Sequence, residues 1–132
     1  MLSKKDEYNY LPIGLPIPED DGACDHLFGM KMPSVDMQTT KNRNINPSKL
    51  KSKYTVIFVY PMTGSPTNKE LFQYSEAWNA IPGACGCTTE VCGYRDALHD
   101  FEKIGVSVFG LSNNTLDYQK EAAARLEIGF EL

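Results

Sequence analysis

Gly86-Cys87-Thr88-Thr89-Glu90-Val91-Cys92-Gly93-Tyr94-Arg95-Asp96 sets two cysteines five positions apart at the start of a helical pattern. Cys87, Val91, Tyr94, Leu98 and Phe101 recur at steps of four, three, four and three, which lines them along one helix face. Cys87 then lies in the first turn. There, unpaired backbone N–H groups and the positive end of the helix dipole favour a thiolate over a thiol. A reactive cysteine is expected at this place.

Working upstream, Tyr54-Thr55-Val56-Ile57-Phe58-Val59-Tyr60 is a β-branched and aromatic run that stops at Pro61. It predicts a central strand covered on both faces. Downstream, Gly105 ends the helix and Val106 to Leu111 predicts a second buried strand. Asn113-Asn114-Thr115 then offers a cap for a helix through Leu126, which contains the helix-forming Ala122-Ala123-Ala124. Strand, helix, strand, helix at this spacing predicts a right-handed parallel crossover. Ile128 to Leu132 reads as the approach to a further strand.

Further from the cysteines, Leu71, Tyr74, Trp78 and Ile81 form a short helical stripe stopped by Pro82-Gly83, with Trp78 as its packing anchor. Thr39-Thr40-Lys41-Asn42 predicts a hairpin turn, and Pro47-Ser48-Lys49-Leu50 a single helical turn. Residues 1–22 hold Pro12, Pro16 and Pro18 and end in Glu19-Asp20-Asp21-Gly22, so they predict an arm or loop. The rest, 23–132, is expected to be one domain with an insertion at 67–85.

Composition bounds the function. A chain of 132 residues with 42% hydrophobic residues can bury one modest core. Its net charge of -4 and pI of about 5.1 argue against a nucleic-acid or anionic-membrane partner, which would attract a basic face. The N-terminal stretch has no apolar core of a secretory signal, and no run approaches the roughly 20 apolar residues of a membrane span. A cytoplasmic, reducing setting is the expectation. There, clustered cysteines point to catalysis or metal binding before structural disulfides. Cys24 and His26 have no second ligand pair at metal spacing and read as a half-buried thiol and a surface imidazole. His99, four residues after Arg95, reads as solvated, so Ser/His/Asp catalysis has no support. Gly83-Ala84-Cys85-Gly86 lacks the Lys-Ser/Thr of a phosphate-binding loop.

Gly-Cys-Thr, a second cysteine five positions on, then aromatic-Arg-Asp, resembles the signature of peroxiredoxins of the Q (bacterioferritin-comigratory) type. The order of elements from about Met32 to Leu132 is similar to the N-terminal part of such proteins. The resemblance implies an α/β, thioredoxin-like fold with a helical insertion before the active-site helix, incomplete at the C-terminus. It implies a thiol-dependent peroxidase with Cys87 as peroxidatic and Cys92 as resolving cysteine, acting on hydrogen peroxide or organic hydroperoxides, with a thioredoxin-like reductant and no cofactor. The family's Pro-x-x-x-Thr/Ser-x-x-Cys is interrupted here, since Ala80 and Ala84 stand at the offsets before Cys87. It is recovered with Pro61-Met62-Thr63-Gly64-Ser65-Pro66 as its first part and Gly86-Cys87 as its end. Pro61, Ser65 and Thr88 then complete the site, with the Ser65 hydroxyl donating to the peroxide. Cys85 is either an alternative resolving thiol or a residue of the insertion.

The family's active-site arginine lies on a later strand that this chain does not reach. Arg95 matches the arginine of the aromatic-Arg-Asp trailer and sits roughly 12 Å of helical rise from Cys87. Arg43 and Arg125 have no motif support. A chain without that arginine and the following strands is expected to self-associate or be marginally stable, and to turn over weakly. Two further readings stand beside the peroxidase. One is a non-catalytic redox-sensing domain. The other is a structural zinc module using Cys85, Cys87 and Cys92 with His99 or Cys24.

Overall fold

The computed structural model describes residues 17, 19–64, 80–81 and 86–132. The helical insertion expected at 67–85, with Leu71, Tyr74 and Trp78, and nearly all of the arm expected at 1–22 fall outside them. In chain order the described elements are β1 (Met37–Gln38), β2 (Asn44–Ile45), β3 (Tyr54–Val59), α1 (Gly86–Lys103), β4 (Val106–Leu111) and α2 (Leu116–Arg125). Single 3-10 turns lie at Asp25–Leu27 and Pro47–Lys49.

The hairpin forms where the turn residues predict it. β1 and β2 pair antiparallel, Met37 opposite Ile45, and Asn42 takes a φ of 58°, a left-handed conformation that asparagine tolerates better than most residues. Asn46 then caps the 3-10 turn after it, accepting from the Ser48 amide at 3.1 Å, with Pro47 pre-set for the first position.

β3 and β4 pair parallel, in register from Tyr54 with Val106 to Val59 with Leu111. A parallel pair needs a crossover, and α1 belongs to it. Gly105, at φ 75°, ends the turn after α1 in the left-handed region that a Cβ would oppose. Thr115 caps α2, its Oγ1 accepting from the Tyr118 amide at 3.3 Å.

The core lies between the β3–β4 pair and the helices. It gathers Phe58, Tyr60, Val108, Leu126, Phe130 and Leu132 with Cys87, Val91 and Cys92 from α1. Phe58 stacks on Tyr94 with ring centroids 4.3 Å apart and meets Phe130 edge-on at 5.6 Å. Val91, read as core-facing from its spacing, is there, with Tyr94, Leu98 and Phe101 packed at its margin.

One expectation needs correction. Among the described residues β3 is not fully covered on both faces: on the Ile57 face Val59 is 69% exposed, while Val56 and Phe58 on the other face pack on the core. One face packs on the core, while Ile57 and Phe109 line an open groove of about 340 Å³ with Met37 and Ile45. An apolar run reports affinity for a sheet, not how many layers cover it. On its β4 side the sheet continues toward the end of the chain. Glu131 bridges in parallel to Phe109, the Gly110 amide donates to the Glu131 carbonyl at 3.0 Å, and the Thr40 amide donates to the Leu132 carbonyl at 3.0 Å. β4 is therefore bonded on both sides, and the approach to a further strand read at Ile128 to Leu132 lies between β4 and the hairpin turn.

Candidate active site

Cys87 is the second residue of α1 and is 8% exposed; Cys92, on the same helix, is fully buried. The residue after Cys87 makes the connection that matters. Thr88 Oγ1 accepts the Gly64 amide at 2.9 Å, across 24 residues of sequence. Pro61 and Thr88, two of the residues singled out from sequence, are thus joined through the segment 61–64. Ser65 and Cys85 lie outside the described residues.

That segment is held along its length. The Tyr60 amide donates to the Leu111 carbonyl at 3.0 Å, carrying the β3–β4 ladder one residue past the strand. The Pro61 carbonyl accepts from Ser112 Oγ at 3.0 Å and Asn114 Nδ2 at 2.8 Å. The Tyr118 hydroxyl donates to the Thr63 carbonyl, and Arg125 Nη2 donates to the Gly64 carbonyl at 2.6 Å. The loop after β4, α2 and α1 therefore converge on four residues. A proline opens them, so the chain leaves β3 with one amide donor fewer.

Sequence reasoning passed over Tyr60, Asn114, Tyr118 and Arg125. The only signal available was the Asn113-Asn114-Thr115 cluster, read as a helix cap; Asn114 instead ties Pro61 down and Thr115 does the capping. The other arginines serve the frame. Arg95 donates through Nε to Asp96 at 2.7 Å and through Nη1 to the Leu126 carbonyl at 2.9 Å, clamping the end of α2 onto α1. Arg43 is paired with Glu131 at the end of the chain.

The electrostatics are those of a shielded thiol pair. Burial pushes the Cys92 thiol up, with Arg95 and Arg125 opposing and Asp96 reinforcing the shift. The Tyr60 phenol is pushed up to about 12, first by burial and then by charge at Cys87 and Tyr118. Burial also raises the Tyr118 phenol, against its bond to Thr63. Among the described residues, Tyr60 Oη, Thr63 Oγ1 and Arg125 Nη1 are buried without a hydrogen-bond partner. Among the described residues, no three His, Cys, Asp or Glu side chains come together as a metal would need, and Cys24 is exposed. No described helix is long and apolar enough to cross a membrane.

A parallel β–α–β unit with a thiol in the first turn of its helix is the thioredoxin-like frame of the peroxiredoxins, and solved structures share it. The chain superimposes on peroxidoxin BcpB of Mycobacterium tuberculosis with a TM-score of 0.60 at 21% identity, covering 79% of this chain and 56% of that one. For peroxiredoxin Q of Xanthomonas campestris the TM-score is 0.55 at 19% identity, over 74% and 50% of the two chains. The chain belongs to the Redoxin family, whose pattern matches residues 28–131. It is similar to chloroplastic peroxiredoxin Q of Populus jackii, 25% identical over 123 residues, which is 89% of this chain and 49% of that protein. Against chloroplastic peroxiredoxin Q of Sedum lineare it is 26% identical over 104 residues, 79% of this chain and 46% of that protein. The chain thus spans about half the length of the curated relatives it matches.

Proposed function

We propose that this chain carries the thiol site of a Q-type peroxiredoxin and reduces hydrogen peroxide or organic hydroperoxides through Cys87. The observation that carries the reading is the Gly64–Thr88 bond, which brings the segment after β3 against the first turn of the cysteine helix. The Cys87 thiolate attacks the nearer peroxide oxygen and the O–O bond breaks. The departing alkoxide or hydroxide takes up a proton, the sulfur is oxidised to sulfenic acid and the peroxide is reduced to an alcohol or water. Ser65, next after Gly64, would donate its hydroxyl to the bound peroxide; Pro61 and Thr88 hold the segment that presents it.

Cys92 is the proposed resolving thiol, with Cys85 as the alternative. A thioredoxin-like dithiol would then reopen the disulfide by exchange, so no cofactor enters the cycle. A cytoplasmic, reducing setting belongs to the same proposal. The complete burial of Cys92 favours one second reading, a redox-sensing domain in which Cys87 oxidises but closure and turnover are slow.

Mass spectrometry after one equivalent of peroxide tests the reading. Sulfenic acid trapped at Cys87, followed by a Cys87–Cys92 disulfide, is expected. Oxidation spread evenly over the four cysteines, or none, would reject it; sulfenic acid that persists without a disulfide would favour the sensor.

A further inference from the structure

The peptide that joins Thr63 to Gly64 is held at both of its polar ends by side chains from two different helices. Its carbonyl oxygen accepts from the Tyr118 hydroxyl of α2, 55 residues away, and its N–H donates to Thr88 Oγ1 of α1 at 2.9 Å. A peptide unit is planar, so its oxygen and its N–H cannot turn independently. One rigid group thus spans α2 and the first turn of the cysteine helix.

Tyr118 is placed for this by the cap of its own helix. It is the third residue of α2, where its amide donates to Thr115 Oγ1 at 3.3 Å and the neighbouring Gln119 amide donates to the Thr115 carbonyl at 3.1 Å. The backbone that carries the ring is therefore fixed before the hydroxyl reaches across. Thr63 is 1% exposed, so bulk water cannot readily replace the phenol as donor. The other ties on the segment grip different peptide units: Ser112 and Asn114 hold the Pro61 carbonyl, and Arg125 holds the carbonyl of Gly64. The start of the segment stays anchored whatever happens at Tyr118.

We propose that Tyr118 is a positioning residue: through the Thr63–Gly64 peptide it fixes the orientation in which the segment 61–64 faces the first turn of the cysteine helix. That this orientation governs peroxide reduction rests on the peroxidase reading above; the bridge between the helices does not. Attack on a peroxide needs the O–O bond held in line with the Cys87 sulfur, so the reaction is sensitive to the segment opposite that sulfur. Attack on a freely diffusing alkylating reagent needs no such partner. A residue that acts by positioning the segment should therefore separate the two reactions. Tyr118 lies outside the motif that places the cysteines.

The test uses the full chain as Y118F, T88V and the double variant. Cys87 is followed by peptide mass spectrometry after quenched exposure to hydrogen peroxide and, in parallel, to iodoacetamide at the same pH. Y118F should slow peroxide oxidation about tenfold and leave alkylation within about twofold of the parent. Because both side chains act through one peptide, the double variant should be about tenfold slow, not the roughly hundredfold of independent sites. Hydrogen exchange at the Gly64 amide, read by NMR without peroxide, should be faster in Y118F than in the parent. Y118F oxidised as fast as the parent, a change shared equally by both reagents, or a full product of the two losses in the double variant would overturn the proposal. If Cys87 of the parent is not oxidised, the peroxidase reading fails by itself, and the Gly64 amide still decides: faster exchange in Y118F would uphold the bridge, and unchanged exchange would overturn it.

Discussion

The Gly64 amide lies 2.9 Å from Thr88 Oγ1, so the backbone that follows β3 is tied to the residue that follows Cys87. An acceptor at position 88 is what the arrangement uses. T88V, which keeps the shape and removes the oxygen, should cost about 0.5–1.5 kcal/mol of stability. It should also slow peroxide oxidation of Cys87 by about tenfold, through misplacement of the facing segment. T88S should keep most of the rate. Stopped-flow oxidation of the three proteins checks this; equal rates for T88V and the parent would detach Thr88 from the site.

Cys87 and Cys92 are both in helical backbone. Five residues of helix rise roughly 7.5 Å, beyond the roughly 7 Å between Cα atoms that a disulfide spans. A Cys87–Cys92 bond therefore requires the first turns of α1 to open. Hydrogen exchange across 88–94 should be faster in the oxidised protein than in the reduced one. Identical exchange in both forms would mean that the two cysteines do not pair.

Gly110 sits where β4 meets side chains from both sides of the core. A Cβ there would lie 2.6 Å from Leu132 Cδ2 and 2.8 Å from Phe58 Cζ, and the Phe58 ring is already stacked on Tyr94. G110A should cost about 1–3 kcal/mol as overpacking. The denaturant midpoint should fall with the slope unchanged; an unshifted midpoint would mean the core yields easily at this point.

Tyr60 is 2% exposed and its hydroxyl has no partner among the described residues, while its ring stacks on Phe58 at 5.6 Å between centroids. Y60F removes only the unsatisfied oxygen. It should leave stability unchanged or raise it by about 1 kcal/mol. With the phenol pushed up to about 12, the phenolate absorbance of Tyr60 should appear only near that pH. A thermal melt and an absorbance titration of the pair check both points, and a clear loss of stability in Y60F would reveal a hydrogen bond made by this hydroxyl.

Glu131 accepts from Arg43 Nε at 2.6 Å and Nη2 at 2.5 Å and from Thr39 Oγ1 at 2.9 Å, and the Arg43 bond is the main reason its carboxyl is held below the usual range. With the folded value depressed, the unfolded chain binds more protons in the window between the two values. The stabilisation is present above about pH 4.3 and is lost as pH falls through the folded value. Acid titration of stability should show this limb in the parent and a weaker one in R43M. Superimposable acid limbs would remove Glu131 from the account.

The cysteine helix, the β3–β4 pairing and the capped second helix were legible in the sequence because each rests on local chemistry. Cys87, Val91 and Tyr94 share a face by helical geometry alone, Tyr54–Val59 is β-branched and aromatic, and Thr115 caps through its own side chain. The spacing of Cys87 and Cys92 and their Gly-Cys-Thr and Tyr-Arg-Asp neighbours likewise needed no partner. What surrounds those cysteines was settled by packing over long separations. Arg125 reaches Gly64 across 61 residues and Asn114 reaches Pro61 across 53, contacts that carry no periodicity and leave no mark on either neighbourhood. The same holds for coverage. The run at β3 declared itself a strand, but how far its Ile57 face would be covered depended on the groove that Ile57 lines with Phe109, Met37 and Ile45, because burial belongs to the assembled layers and not to the strand.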